Sequence, residues 1–184
     1  SKSRIDTNLL TSLITIKDSQ LEDFKIFIDG GMHEDSLNII NSSGSIDKIE
    51  IKNSFQDAID FDFSNLRINF ISVNNAGNDC LDTSAGKYYI KKINLNNCKD
   101  KGVSIGEEST LDIKNANIQN TNLALVSKDS SKLIVKKAFL KNNILCVAAY
   151  NKKQEFGPSY ISIPDQLCPK AKFAIQNISI LEMQ

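Results

Sequence analysis

Apolar residues recur along this chain at intervals of 22. Leu37, Ile59, Leu81, Val103, Leu125 and Val147 form one column in which every step is 22. Ile46, Ile68, Ile90, Ile113 and Val135 form a second, with steps of 22, 22, 23 and 22. Ile49, Ile71, Ile93, Ala116 and Ala138 form a third, and Ile51, Val73, Leu95, Ile118 and Leu140 a fourth. The step of 23 is shared by the last three columns and is undone before Leu125, as a one-residue turn insertion would be. Apolar-x-apolar runs of this kind predict short strands with alternate side chains inward, and no stretch of 3.6 periodicity competes with them. A repeat of this length is the signature of a solenoid. Equivalent positions then stack about 4.8 Å apart, and roughly eight coils give an axis of about 35–40 Å. The expected architecture is all-β: a right-handed parallel β-helix, one domain over 1–184. Residues 1–12 are read as an N-terminal cap, 13–163 as coils and 164–184 as a C-terminal coil or cap. Leu21, Phe24 and Ile26 repeat the spacing of Ile46, Ile49 and Ile51 25 residues earlier, which places the extra length in a loop at 29–35. Residues 151–158 read as a protruding turn, and 173–181 as a final strand or two.

A polar column marks one turn. Asn53, Asn75, Asn97, Asn120 and Asn142 share its register, including the single slip. Asn accepts the left-handed backbone region better than other residues with a side chain. Stacked amides can also hydrogen-bond from coil to coil. This ladder resembles that of the pectate lyase and polygalacturonase type of right-handed β-helix, and the resemblance covers about residues 13–163. It implies a fold, one shared by lyases, hydrolases, epimerases, tailspikes and non-catalytic bacterial modules.

Charge narrows the partners. Lys plus Arg and Asp plus Glu both number 22, so the formal net charge is zero, and the basic excess of a general nucleic-acid binder is missing. Neither a spanning helix nor a signal peptide is visible, so membrane insertion is not expected. The first residue is Ser, and the chain reads as a mature form or a piece of a larger protein. Cys80, Cys98, Cys146 and Cys168 contain no C-x-x-C pair, and His33 is the sole histidine, which argues against zinc. Cys80 and Cys146 share a column three coils apart, about 14 Å, beyond disulfide reach. The four thiols are expected as small residues packed at corners. Asn41-Ser42-Ser43 and Asn177-Ile178-Ser179 are glycosylation sequons, meaningful only in a eukaryotic secreted protein.

The candidate chemistry lies on the outer face of the strand that opens each coil. Asp60 and Asp62 lead to Asp82, then to Ser104, then Lys128 and Tyr150. Asp57, Asp79, Asp100 and Lys101 precede this strand, and Glu107, Asp129 and Lys152 follow it. Asp60 and Asp82 should stack about 5 Å apart. Like charges at that spacing raise one pKa, which suits an acid and a base, or they bind a divalent cation such as calcium at Asp60, Asp62 and Asp82. No other cofactor is implied. The catalytic candidates are Asp60, Asp79, Asp82, Lys101 and Lys128. The remainder are candidates for a ligand-binding face. Cross-coil pairs of Glu107 with Lys101 or Lys128 are a further expectation. Arg4 and Arg67 are the only arginines, which disfavours tight recognition of uronate carboxylates.

Gly77-Asn78-Asp79-Cys80 resembles the G-D-D-C segment of polygalacturonases, in which paired aspartates act as acid and water activator. Asn78 stands where that family has the first aspartate, and the family's N-T-D, G-H-G and R-I-K elements are missing. The leading expectation is a non-catalytic β-helix module of a bacterial surface or polysaccharide-handling protein, at the cell surface or outside the cell. Its rigid face would meet a polysaccharide or a protein. The alternatives are a lyase, epimerase or hydrolase built on the stacked aspartates, and a trimeric fibre segment.

Overall fold

In the computed structural model the chain is a parallel β-solenoid of eight coils, built from two long parallel sheets. The structure describes residues 11–165, 169, 172–176 and 179–183. Arg4, most of the expected N-terminal cap, Cys168 and the Asn177 sequon lie outside the described residues.

One sheet stacks β1 (Ser12–Lys17), β3 (Asp35–Ile40), β5 (Asp57–Asp62), β7 (Leu81–Ser84), β9 (Lys101–Gly106), β12 (Leu123–Lys128), β15 (Leu145–Tyr150) and β17 (Phe173–Ile175). The other stacks β2 (Gln20–Asp29), β4 (Ser43–Ser54), β6 (Asn65–Ala76), β8 (Lys87–Cys98), β10 (Thr110–Ile113), β13 (Lys132–Val135), β16 (Tyr160–Ile163) and β18 (Ile180–Met183). β11 (Ala116–Gln119) and β14 (Ala138–Lys141) continue this second sheet past a corner. No helix among the described residues is long and apolar enough to cross a membrane.

All four apolar columns stack as their spacing predicts. Ile46 registers with Ile68, Ile68 with Ile90, Ile90 with Ile113 and Ile113 with Val135. From Leu37 to Val147 the first column is fully buried. Each buried aliphatic side chain contributes about 1.5–3 kcal/mol, and each coil hides its inner face only against its neighbours. The first coil departs from the expected step of 25. Phe24 pairs with Ile46, Ile26 with Ile49 and Ile28 with Ile51, steps of 22, 23 and 23. The cause is a bulge between Leu21 and Lys25, where Asp23 takes a φ of 42°.

The Asn ladder forms, with one change of rail. All five members have left-handed φ between 56° and 67°. The Asn75 amide donates to Asn53 Oδ1 at 2.9 Å, and Asn97 donates to Asn75 at 2.8 Å. Asn120 instead donates to Asn96, at 2.7 Å, at the coil that carries the 23-residue step, and Asn142 then donates to Asn120. Replacing Asn75 with alanine should lower stability by about 1–2 kcal/mol, because alanine pays the left-handed penalty and both amide bonds vanish. Glycine there should cost less than alanine, since it takes that φ without strain. Thermal melting of the two variants orders them.

The cysteines are not simple packed thiols. Cys80 and Cys98 form a disulfide, with Cα atoms 5.5 Å apart and a sequence separation of 18. Cys146 is also disulfide-bonded. Column arithmetic compares only equivalent positions, whereas this bond joins two sides of one corner in neighbouring coils.

Candidate ligand face on the first sheet

Parallel stacking of β3, β5, β7 and β9 builds the outer face row by row. One row runs Asn38, Asp60, Asp82 and Ser104, and continues through Val126 to Ala148. Beside it, Ile40, Asp62, Ser84 and Gly106 form a second row, with Lys128 and Tyr150 paired further along. The expected juxtaposition of Asp60 and Asp82 is therefore present. The face is less open than alternation implies. Ser104 and Val126 point away from the core yet are fully buried. The turn after β15 reaches back along this edge: Lys153 pairs with Glu107, two coils away. That pairing replaces the expected partnership of Glu107 with Lys101 or Lys128.

Three of the predicted carboxylates are occupied by backbone. Asp57 Oδ1 accepts the Asp79 N–H at 2.7 Å and the Asn78 amide at 2.8 Å. Asp79, only 3% exposed, accepts the Lys101 N–H at 2.9 Å, with Lys101 Nζ 3.4 Å away. Asp129, 1% exposed, accepts the N–H groups of Lys152 and Lys153 at 2.6 and 2.8 Å. These aspartates clamp corners. Gly77 has a reason of the same kind, since a Cβ there would sit 1.8 Å from the Phe55 carbonyl oxygen. The Gly77–Cys80 string thus records a tight turn, a clamp and a disulfide. Asp100 pairs with Lys101. Lys128 is buried, with Nζ 3.9 Å from Asp82 Oδ1. The Lys152 side chain is exposed.

The remaining carboxyls crowd one another. Burial first, then the charges of Asp62, Asp82, Asp35 and Asp57, push Asp60 up to about 9. Burial and then the neighbouring acids, Asp57 foremost, raise Asp35 to about 7. Burial also raises Asp62, opposed by a hydrogen bond from Asn38, and Asp57, opposed by its two donors. Burial lifts Asp79 to about 7 while Lys101 pulls it back. On Lys101 itself burial works to remove the proton, but Asp100 and Asp79 outweigh it and hold the ammonium charged. Burial raises the Tyr150 phenol, with Lys101 opposing.

Two polar atoms on the first row have no hydrogen-bond partner among the described residues. Ser104 Oγ is buried and unbonded, and so is Asn38 Oδ1. Buried polar atoms are nearly always paired, because leaving one unmade costs about 1–3 kcal/mol. They flank Asp60 and Asp82, whose half-buried carboxyls are the part of the row open to solvent. Among the described residues no three His, Cys, Asp or Glu side chains are arranged to hold a metal ion. Asp35, Asn38 and Lys153 are the members that sequence reasoning missed. Asp35 was legible in principle, one 22-residue step before Asp57. Comparison of the chain with protein families, with characterised proteins and with solved structures finds no match.

Proposed function

We propose that this chain is a non-catalytic β-helix module of the right-handed, pectate-lyase type, and that the Asn38–Asp60–Asp82–Ser104 row binds a hydroxyl-rich carbohydrate. The observation that carries this reading is the stacking of Asp60 on Asp82, two half-buried carboxyls in register on the outer face, with Asn38 and Asp62 beside them. Sugar hydroxyls donate to carboxylates and accept from a protonated acid, and this row presents both. Its acidity disfavours uronates and suits neutral or amino sugars. Occupation of Asp79 and Asp129 by backbone supports binding over hydrolysis, because a buried clamp cannot reach a substrate proton. Placement at a cell surface or outside the cell draws support from the Cys80–Cys98 bond, which persists in oxidising compartments.

Calorimetry with neutral and amino-sugar oligosaccharides tests the proposal. Asp82→Asn and Asp62→Asn should each weaken binding about tenfold, the equivalent of about 1.4 kcal/mol, while melting temperature stays within a few degrees. Unchanged affinity in both variants would sink it. An enzymatic reading has one feature in its favour: burial and the acids around it push the Asp60 carboxyl up to about 9, the direction a general acid needs. Release of reducing ends or unsaturated products, abolished by Asp60→Asn, would establish that reading instead.

A further inference from the structure

The zero net charge conceals a strong separation between the middle coils of the two sheets. Segments 35–40, 57–62, 79–84 and 101–106 of the first sheet carry six aspartates and one lysine. Segments 65–76, 87–98, 110–119 and 132–141 of the second sheet and its corner carry nine Lys or Arg and a single acid, Asp112. The basic residues stack. Backbone hydrogen bonds from Lys114 to Ile90, from Lys136 to Ile113 and from Lys137 to Lys114 put Lys91, Lys114 and Lys136 at equivalent corner positions in successive coils. Lys92 and Lys137 lie beside them, all of them exposed.

The earlier coils of the same sheet show what a merely soluble surface looks like. There Lys25 pairs with Asp47 at 3.5 Å, and Glu50 sits between Lys48 and Lys52 at 2.6 and 3.8 Å. Past Asn65 this pattern stops. Among the described residues no carboxylate lies within ion-pair distance of Lys91, Lys92, Lys114 or Lys137. Like charges about 5 Å apart repel by about 1 kcal/mol even in water, and among the described residues Lys92 alone of those four faces an aromatic ring, Phe70, at 5.7 Å.

A groove of about 870 Å³ runs along the opposite edge of the same sheet, lined by Arg67, Lys87, Tyr89 and Thr110, with Glu22 as its one acid. The Arg67 guanidinium lies 5.3 Å from the centre of the Tyr89 ring, exposed and with no carboxylate at ion-pair distance among the described residues. Lys132 lies 5.0 Å from the centre of the Tyr160 ring further along.

We propose that the outer face of the second sheet is a docking surface for a linear polyanionic glycan, bearing carboxylate or sulfate groups. Arg67 and Lys87 anchor one charged sugar in the groove, and the lysine rail across the sheet follows the chain along the solenoid axis. The regular coil spacing suits a polymer whose charges repeat. A glycan is favoured over a nucleic acid because the Cys80–Cys98 disulfide belongs to an oxidising compartment, and because the exposed rings are already faced by cations. This surface is separate from the acidic row and does not depend on it.

The test is binding of the full chain to heparin and to polygalacturonate, as the sulfated and carboxylated probes, across a salt series. Affinity should fall steeply with salt, as counterion release requires. The charge reversal K92E/K114E/K137E should lose at least tenfold, and Arg67→Ala about tenfold. K25E/K48E, which alters the ion-paired coils, should stay within about twofold. Should the triple reversal fail to fold by circular dichroism, K92Q/K114Q/K137Q makes the same comparison without new acids. Equal losses in both lysine sets, or no loss in either, would overturn the proposal. Tighter binding to duplex DNA, or to phosphatidylserine vesicles, than to both glycans at matched salt would overturn it in favour of those partners.

Discussion

Replacing both Cys80 and Cys98 with alanine is expected to destabilise the solenoid by about 3 kcal/mol, the loss typical of a bond closing a loop of this size. The two cysteines are 18 residues apart, so the bond closes most of one coil. They also tie neighbouring layers together. Cys98 registers on Ala76, while the Cys80 N–H donates to the Lys101 carbonyl at 2.9 Å. In a solenoid, stability is close to a sum of coil terms and interfaces between neighbours. A staple at one interface therefore acts locally, on the coils that carry Asp60, Asp82 and Ser104. At about 2–4 °C per kcal/mol for a chain of this size, the melting temperature should fall by about 6–12 °C. Hydrogen exchange should rise first in β7 and β8. A reductant is a poorer test, because Cys146 is also disulfide-bonded. An unchanged melting temperature in the double variant would show that the bond contributes nothing in solution.

That staple was illegible from spacing, and the reason is geometric. A 22-residue repeat exposes contacts between equivalent positions, and these dictated the apolar columns because every inward residue meets its own counterpart. Cys80 and Cys98 do not occupy equivalent positions, since the counterpart of Cys98 in the coil of Cys80 is Ala76. The bulge at Asp23 escaped for a related reason: it moved Phe24, Ile26 and Ile28 against Ile46, Ile49 and Ile51 without breaking the apolar spacing. The outer face was legible in membership and not in state. An aspartate at a corner reads the same whether it clamps two N–H groups, as Asp129 does, or crowds other acids, as Asp60 does. Burial of Ser104 and Val126 arises in part from elements far along the chain, such as the turn that carries Lys153 to Glu107. The charge separation between the sheets was legible in every lysine, but a whole-chain sum of zero hid it.

Raising the pH from 6 to 9 should destabilise this protein markedly, the reverse of what salt-bridged carboxylates produce. Asp60 and Asp35 are raised to about 9 and about 7, chiefly by burial and then by the acids around them. A carboxyl that holds its proton more tightly in the folded chain than in the unfolded one contributes its stability in full below its unfolded pKa. That contribution is lost as pH rises through the folded value. For Asp35 the loss is complete by about pH 7, and for Asp60 it continues to about pH 9. Each such group contributes a slope of at most about 1.4 kcal/mol per pH unit between its two values. Solvent reaching this half-open face reduces that figure. The denaturation midpoint should therefore fall steadily between pH 6 and 9, and Asp60→Asn should flatten the curve above pH 7. That variant keeps the size of the side chain and removes the charge, so at pH 9 it should be more stable than the parent. Below about pH 4, where Asp60 is neutral in the folded and the unfolded chain alike, the two should match. If Asp60→Asn is instead the less stable protein at pH 9, the Asp60 carboxylate is ionised and well solvated. The crowding of acids along this row would then be absent.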